Sequence, residues 1–453
     1  MSQDPRQLIA RAPMSGFQIV VVALCVGLNA LDGFDVLAIS FASPGIAAEW
    51  GVSQAALGFV LSMELIGMGL GSVLIGGLAD RVGRRPIILA CIVVMAIGMF
   101  LTSRASDVVT LSAFRVFTGI GIGGMLASVT AMVAEYSNVR RRSLSVTLMG
   151  AGYPLGIVIG GSIASVLLAN FDWRAVFLFG SIATIAFLPL AFFLLPESIE
   201  HLYQRRPARA LERINATMRR MGHATVEALG EVASSPAKIP VVQLFSGGLA
   251  RTTILLSIAY FTHIMTFYFI LKWVPKLVVD MGFAPSAAGG VLTWANVGSV
   301  IGAVLIGLLA LRFGVRWLTI GALLFASGMV VVFGQGQADL TELSTVAAGV
   351  GFFTNSAIVG IYAIFAHAYP TEARAGGTGF VIGVGRGGAA LGPVIAGFLF
   401  EAGQPLPIVA VFMATGSAIA AVALLFLRFT EADKLPEAAA DAVAAEAPVK
   451  PAA

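Results

Sequence analysis

Apolar residues fall along this chain in long blocks parted by short polar loops. A helix rises ~1.5 Å per residue, so crossing ~30 Å of hydrocarbon takes about 20 mostly apolar residues. Stretches of that kind occur at 18–42, 54–78, 86–103, 109–134, 143–169 and 174–195, and again at 250–279, 286–310, 315–335, 341–368, 376–400 and 406–428. They lack the two-residue alternation of strands. The pattern therefore predicts an all-α membrane protein with twelve transmembrane helices, numbered here as spans 1 to 12. It divides into an N-terminal segment (1–17), a six-helix bundle (18–195), a linker (196–249), a second six-helix bundle (250–428) and a tail (429–453). The first block is too long for a signal-peptide core and holds two aspartates, so it reads as a retained helix.

Loop charge orients the spans. The loops after spans 2, 4, 8 and 10 carry Arg81, Arg84, Arg85, Arg140, Arg141, Arg142, Arg312, Arg316 and Arg374, whereas the opposite loops hold little beyond Arg104 and Arg174. Basic loops stay in the cytoplasm, which sets both termini there. The linker holds a basic stretch, Arg205, Arg206, Arg209, Arg213, Arg219 and Arg220, expected to be helical and to lie near anionic headgroups. The tail after Thr430, rich in Ala, Glu and Pro, is expected to be disordered.

Composition agrees with the pattern. Of 453 residues 58% are hydrophobic and 11% charged, against about 25% charged in soluble domains. The 52 glycines suit closely packed membrane helices. The basic balance is used up in loops, so no nucleic acid is implied. Cys25 and Cys91 lie inside apolar blocks and imply neither a disulfide nor a metal site.

The halves repeat. Ile75-Gly-Gly-Leu-Ala-Asp-Arg-Val-Gly-Arg-Arg85 is echoed by Ile306-Gly-Leu-Leu-Ala-Leu-Arg-Phe-Gly-Val-Arg316, and Glu135-Tyr-Ser-Asn-Val-Arg-Arg141 by Ala368-Tyr-Pro-Thr-Glu-Ala-Arg374. The offsets, 231 and 233 residues, are nearly equal. Two pseudo-symmetric bundles of this kind hold a substrate site between them near the midplane and work by alternating access.

These same residues carry a family resemblance. Gly76-Gly-Leu-Ala-Asp-Arg-Val-Gly-Arg-Arg85 resembles the signature loop of the major facilitator superfamily, and Arg115-Val-Phe-Thr-Gly-Ile-Gly-Ile-Gly-Gly124 resembles its fourth-helix motif. Within span 1, Leu31-Asp-Gly-Phe-Asp35 is similar to the Asp-Gly-x-Asp element of the aromatic acid:proton symporter family. Glu135-Tyr136 and Tyr369-Pro-Thr-Glu-Ala-Arg374 are similar to that family and to related carriers. The resemblance implies the major facilitator fold and proton-coupled uptake of a benzoate-like or hydroxybenzoate-like anion across a bacterial inner membrane. Lys272 departs from the pattern and raises the alternative of another acid, such as muconate. No cofactor is implied. One chain contains both halves and is expected to work as a monomer.

Ionisable groups inside a span cost about 2.5–3.5 kcal/mol on insertion scales, so each needs a reason. Asp32 and Asp35 are three apart and share a helix face. Two neighbouring carboxylates in low dielectric do not ionise together easily, as a proton carrier requires. Asp32, the deeper, is the first candidate; pairing of the two with lysine or arginine, which only holds the fold, is the alternative. Glu64 is a second proton site or a partner for Arg386 or Arg115. His263 corresponds to Asp32 in the repeat and is either a proton site or a neutral core histidine. Arg386, flanked by glycines in span 11, suits a substrate carboxylate; a structural ion pair is the plainer alternative. It corresponds to Tyr153 of span 5, whose hydroxyl is a further candidate substrate contact. The resemblance implies that Arg115 tunes the acids of span 1. Lys272, Tyr260, Trp294 and Asn296 complete the candidate substrate contacts, against packing and interface anchoring as their alternative. A gating set lies at the loops: Asp80, Arg81, Gly83, Arg84, Arg85, Glu135, Arg141, Glu372 and Arg374. There Arg84 or Arg85 is expected to pair with Glu135, and Arg141 with Asp80, when the inner gate is shut.

Two other functions compete. Proton-driven efflux of a hydrophobic compound would call for Gly-x-x-x-Gly-Pro in span 5, which Gly150-Ala-Gly-Tyr-Pro-Leu-Gly156 matches poorly. A sugar carrier would need more midplane amides than Asn29, Asn296 and Asn355. An enzyme has no support: the sequence offers no metal cluster, nucleotide loop or nucleophile–base set.

Overall fold

The computed structural model describes residues 4–230, 241–310 and 312–427; the side chains at 248, 366, 371, 372 and 375 lie outside the described set. The tail after Thr430 falls outside it as well. The described residues contain twelve helices long and apolar enough to cross a membrane. Spans 1 to 6 are Gly16–Trp50, Gln54–Val82, Arg84–Thr102, Val108–Glu135, Arg142–Asn170 and Arg174–Leu194. Spans 7 to 12 are Leu249–Asp280, Pro285–Leu309, Val315–Gly334, Leu340–Phe365, Gly376–Glu401 and Leu406–Leu425.

Two limits differ instructively from the hydropathy pattern. Span 1 runs eight residues past position 42, through Pro44. A proline removes one backbone donor, and a packed neighbour makes that tolerable. The extension is fixed to the start of span 6, where Trp173 Nε1 donates to Glu49 at 2.7 Å and Arg174 pairs with Glu49. Span 2 breaks at Ile75 into a short helix, Gly76–Val82, that ends at Gly83. Gly83 has φ +112°, a region that suits glycine.

The sequence repeat reappears as paired helix contacts. Span 2 packs on span 4 as span 8 packs on span 10, and span 1 on span 5 as span 7 on span 11. Glycines set these approaches. A Cβ on Gly156 would lie 1.8 Å from the Ala30 carbonyl oxygen, and one on Gly388 2.3 Å from that of Phe261. The offsets are 232 and 231 residues, the same register as the sequence echoes. Small residues let backbones meet where lipid offers no hydrophobic drive. Gly156→Ala is therefore expected to destabilise the purified protein by at least about 1–3 kcal/mol of overpacking. Gly150→Ala, with nothing within 4 Å, is the control in the same thermal melt. Equal melting temperatures would disprove the close approach.

The bundles meet along spans 2 and 11, 5 and 8, and 1 and 7. The recorded contacts lie toward the end away from the linker. There Phe59 packs edge-on to Phe398, Ala55 N–H donates to Glu401 at 3.3 Å, and Gly289 abuts Ser165. Toward the linker, Gly150 of span 5 and Gly307 of span 8 have nothing within 4 Å of a would-be Cβ. The cleft between the bundles is thus shut at the far end.

Within the linker, Ile199–Arg205 and Ala210–Arg220 are helices, as the basic stretch predicts. The second is amphipathic, with Ile214 and Met218 buried.

Candidate functional site

Halfway along span 1, Asp32 and Asp35 are buried, at 2% and 0% exposure. Neither Asp35 oxygen has a hydrogen-bond partner, nor does Asp32 Oδ1. Beside them lies a buried ion cluster. Arg115 pairs with Glu64, donates to the Asp35 backbone carbonyl at 2.8 Å and sits 5.4 Å from the Phe177 ring centre. Lys272 reaches across from span 7, bonding the Val36 carbonyl and lying 3.5 Å from Glu64. Arg115, Glu64 and Lys272 are each 0% exposed.

That cluster changes three expectations. Glu64 is the partner of Arg115, one of the two offered for it. Arg115 is held in the protein interior by Glu64, the Asp35 carbonyl, Met99 Sδ and the Phe177 ring. Lys272 neither snorkels nor lines a binding surface; it ties the two bundles together, because its stem is long enough to reach Glu64 through the shut end of the cleft.

The second group lies on the C-terminal bundle. Arg386 is half-buried at the middle of span 11, its stem 4.0 Å from a Cβ built on Gly69 of span 2. Among the described residues no carboxylate stands within ion-pair distance of it; Glu64 is taken by Arg115 and Lys272. Its electrostatic neighbours are Tyr260, Tyr268 and Tyr362. Tyr260 and Tyr362 share a hydrogen bond of 2.8 Å. Tyr260 packs on Gly385, one residue before the arginine. Tyr268 meets Tyr153 across the bundle boundary. The result is a guanidinium at mid-depth, with five donors in a fixed fork and three phenols in its electrostatic neighbourhood.

Other candidates stand apart. His263 is wholly buried, with Nε2–H donating to the Thr354 carbonyl at 2.9 Å and Nδ1 accepting from Ser417 at 3.0 Å. This is the core-histidine arrangement. Asn296 donates to Leu292 in its own helix. Asn29 and Asn355 likewise bond the carbonyls of Met149 and Ser299. The amides a polyol carrier would use are spent on backbone. Trp294 lies on an exposed stripe with Ile301, Val304 and Leu308.

At the linker end, Arg84 pairs with Glu135, whose other oxygen accepts from Ser198 at 2.5 Å. Both partners belong to one bundle. Arg141 and Asp80 are exposed and unpaired with each other; Arg205 donates to the Asp80 backbone oxygen at 3.1 Å. At the start of span 3 stands Glu197, which accepts from the N–H groups of Arg84, Arg85 and Ser198 at 2.8–3.2 Å. Its carboxylate caps the positive helix end and lies where a Cβ on Gly83 would clash. Arg85 donates to Phe192. Arg81 and Arg374 are exposed, and the side chain of Glu372 lies outside the described residues. Sequence reasoning missed Glu197 and Tyr362. The acid directly after span 6 was the available signal for the first; nothing distinguished the second.

Comparison with known proteins bears on this arrangement. A family model described as Major Facilitator Superfamily matches residues 25–257 and 256–452. The chain is 30% identical over 429 residues to a gallate transporter of Pseudomonas putida, covering 93% of this chain and 94% of that one. It is 31% identical over 428 residues to the 4-hydroxybenzoate transporter PcaK of Pseudomonas aeruginosa, covering 93% and 95%. A benzoate transport protein of Acinetobacter baylyi is 29% identical over 409 residues, covering 88% and 87%. Among solved structures, the xylose transporter XylE from E. coli, in a partially occluded inward-open conformation, matches with a TM-score of 0.72. Its identity is 17%, covering 92% of this chain and 99% of that one, which is a likeness of fold.

Proposed function

The chain belongs to the major facilitator superfamily, and from that premise we propose that it takes up an aromatic carboxylate of the benzoate or hydroxybenzoate kind together with protons. It is a multi-pass membrane transporter, not an enzyme. The observation that carries the substrate class is Arg386: a permanent cation at mid-depth, lacking a protein carboxylate among the described residues, beside three tyrosines. A substrate carboxylate supplies the missing anion, and the phenols offer ring edges and hydroxyls to an aromatic body. The relatives named for gallate, 4-hydroxybenzoate and benzoate support the same class. Lys272 was the ground for a dicarboxylate such as muconate, and its engagement by Glu64 removes that ground.

We assign the linker end to the cytoplasm of a bacterial cell from the loop arginines. On that assignment the shut end of the cleft faces outward. Asp32 is the proposed proton carrier, with Asp35 beside it, because carboxyl oxygens without a hydrogen-bond partner are free to take and release a proton. Arg115 positions span 1 through the Asp35 carbonyl. The carrier reorients when anion and proton are both bound or both absent, and one chain suffices.

The reading is tested in proteoliposomes with a pH step and labelled 4-hydroxybenzoate, benzoate and gallate. At least one accumulates, about tenfold per pH unit for one proton, since a unit is worth ~1.4 kcal/mol. A protonophore abolishes the accumulation. Accumulation that survives the protonophore rejects symport. In the same assay Asp32→Asn is expected to equilibrate its substrate without concentrating it, a loss of about tenfold at one pH unit, while counterflow exchange continues. Full accumulation by that variant would free Asp32 of its role.

A further inference from the structure

We propose that the cavity between the linker helices and the end of span 6 binds the phosphate of an anionic phospholipid. The cavity holds about 230 Å³ and is walled by Arg85, Arg213 and Arg220 around Phe192, Phe193 and Glu197. Three guanidiniums therefore face one carboxylate. That carboxylate is already engaged: Glu197 Oε1 accepts from three backbone N–H groups. The cavity is left with a surplus of positive charge.

The arginines are also aimed. Arg85 donates to the Phe192 carbonyl at 2.6 Å, and its guanidinium lies 5.2 Å from the Phe192 ring centre. Arg220 donates to the Phe193 carbonyl at 3.3 Å and lies 4.2 Å from the Phe17 ring centre. Each uses one of five donors in this way, which fixes the side chain and leaves the rest of the fork for an acceptor. Arg213 is exposed and has no carboxylate partner among the described residues.

Position selects the source of the phosphate. Phe17 opens span 1, and Phe193 lies in the last turn of span 6, so the cavity sits at headgroup depth. Phe192 and Phe193 are 52% and 70% exposed at its rim. Acyl chains would cover those rings, whereas inorganic phosphate gains nothing from them. Basic side chains at this depth attract anionic lipid, and a guanidinium fork holds phosphate oxygens in pairs.

The test titrates the full purified chain with tail-labelled, short-chain phosphatidylglycerol. The Arg213→Ala, Arg220→Ala double variant is expected to bind about tenfold more weakly or worse. Arg213→Ala alone, at an exposed position with no folding role, should also weaken binding. Arg219→Ala, on the same helix but outside the cavity, should bind as the parent does. Phosphatidylcholine should bind about tenfold more weakly, and millimolar inorganic phosphate should not displace the lipid. Unchanged binding by the double variant overturns the site. An equal loss in Arg219→Ala overturns it in favour of diffuse surface charge, and displacement by inorganic phosphate overturns the lipid assignment.

Discussion

Arg386→Ala is expected to lower kcat/KM for uptake of the aromatic acid by about a hundredfold or more. A hydrogen-bonded charge pair at a partly desolvated site is worth roughly 2–5 kcal/mol when one member is deleted, and ~2.7 kcal/mol is already a hundredfold. Arg386→Lys keeps the charge but loses the planar fork, so it should fall between parent and alanine. The melting temperature should barely change, because no described carboxylate depends on this arginine. That pairing of results separates a substrate contact from a structural one. Initial uptake rates and melts on the same preparations give both readouts. Uptake within about threefold of the parent would reject Arg386 as the anion site, since even one neutral hydrogen bond is worth ~1 kcal/mol.

Glu64→Leu is expected to be the most damaging single change to the fold. Glu64 is the shared anion of two buried cations, Arg115 and Lys272. Its loss strands both in a site that excludes water, and breaking a buried pair from one side costs about 3–5 kcal/mol. Arg115→Met should cost less, because it leaves Glu64 with Lys272. The diagnostic is the double variant Glu64→Leu, Lys272→Met. It removes one of the stranded cations and leaves Arg115 its bond to the Asp35 carbonyl. It should therefore melt higher than Glu64→Leu alone. Strict additivity of the two single effects would mean that the residues are not coupled.

Lys272 also lies on the opposite bundle from Glu64, so this pair is part of what keeps the far end shut. A transporter must break it to open that end. A pair held at 3.5 Å with backbone help is a reasonable compromise between holding the state and leaving it.

Span number, the two-bundle repeat and the basic loops follow from the chain alone, because insertion responds to hydropathy and loop charge summed over local windows. The glycine register is legible for a related reason: Gly156 and Gly388 recur at the repeat offset, and only small residues allow the backbones to meet there. The chain also singled out Asp32, Asp35, Glu64, Arg115 and Arg386, since a charge in hydrocarbon is too costly to be incidental. Which of them pair was decided by tertiary structure. Lys272 lies 208 residues from Glu64 in sequence, and nothing local told it to cross the bundle boundary. Glu197 reaches the start of span 3 because the linker folds back over that helix end. Arg386 was left for a ligand only because the geometry spends Glu64 elsewhere. Local energetics fix which groups are expensive, and three-dimensional packing fixes how each is compensated.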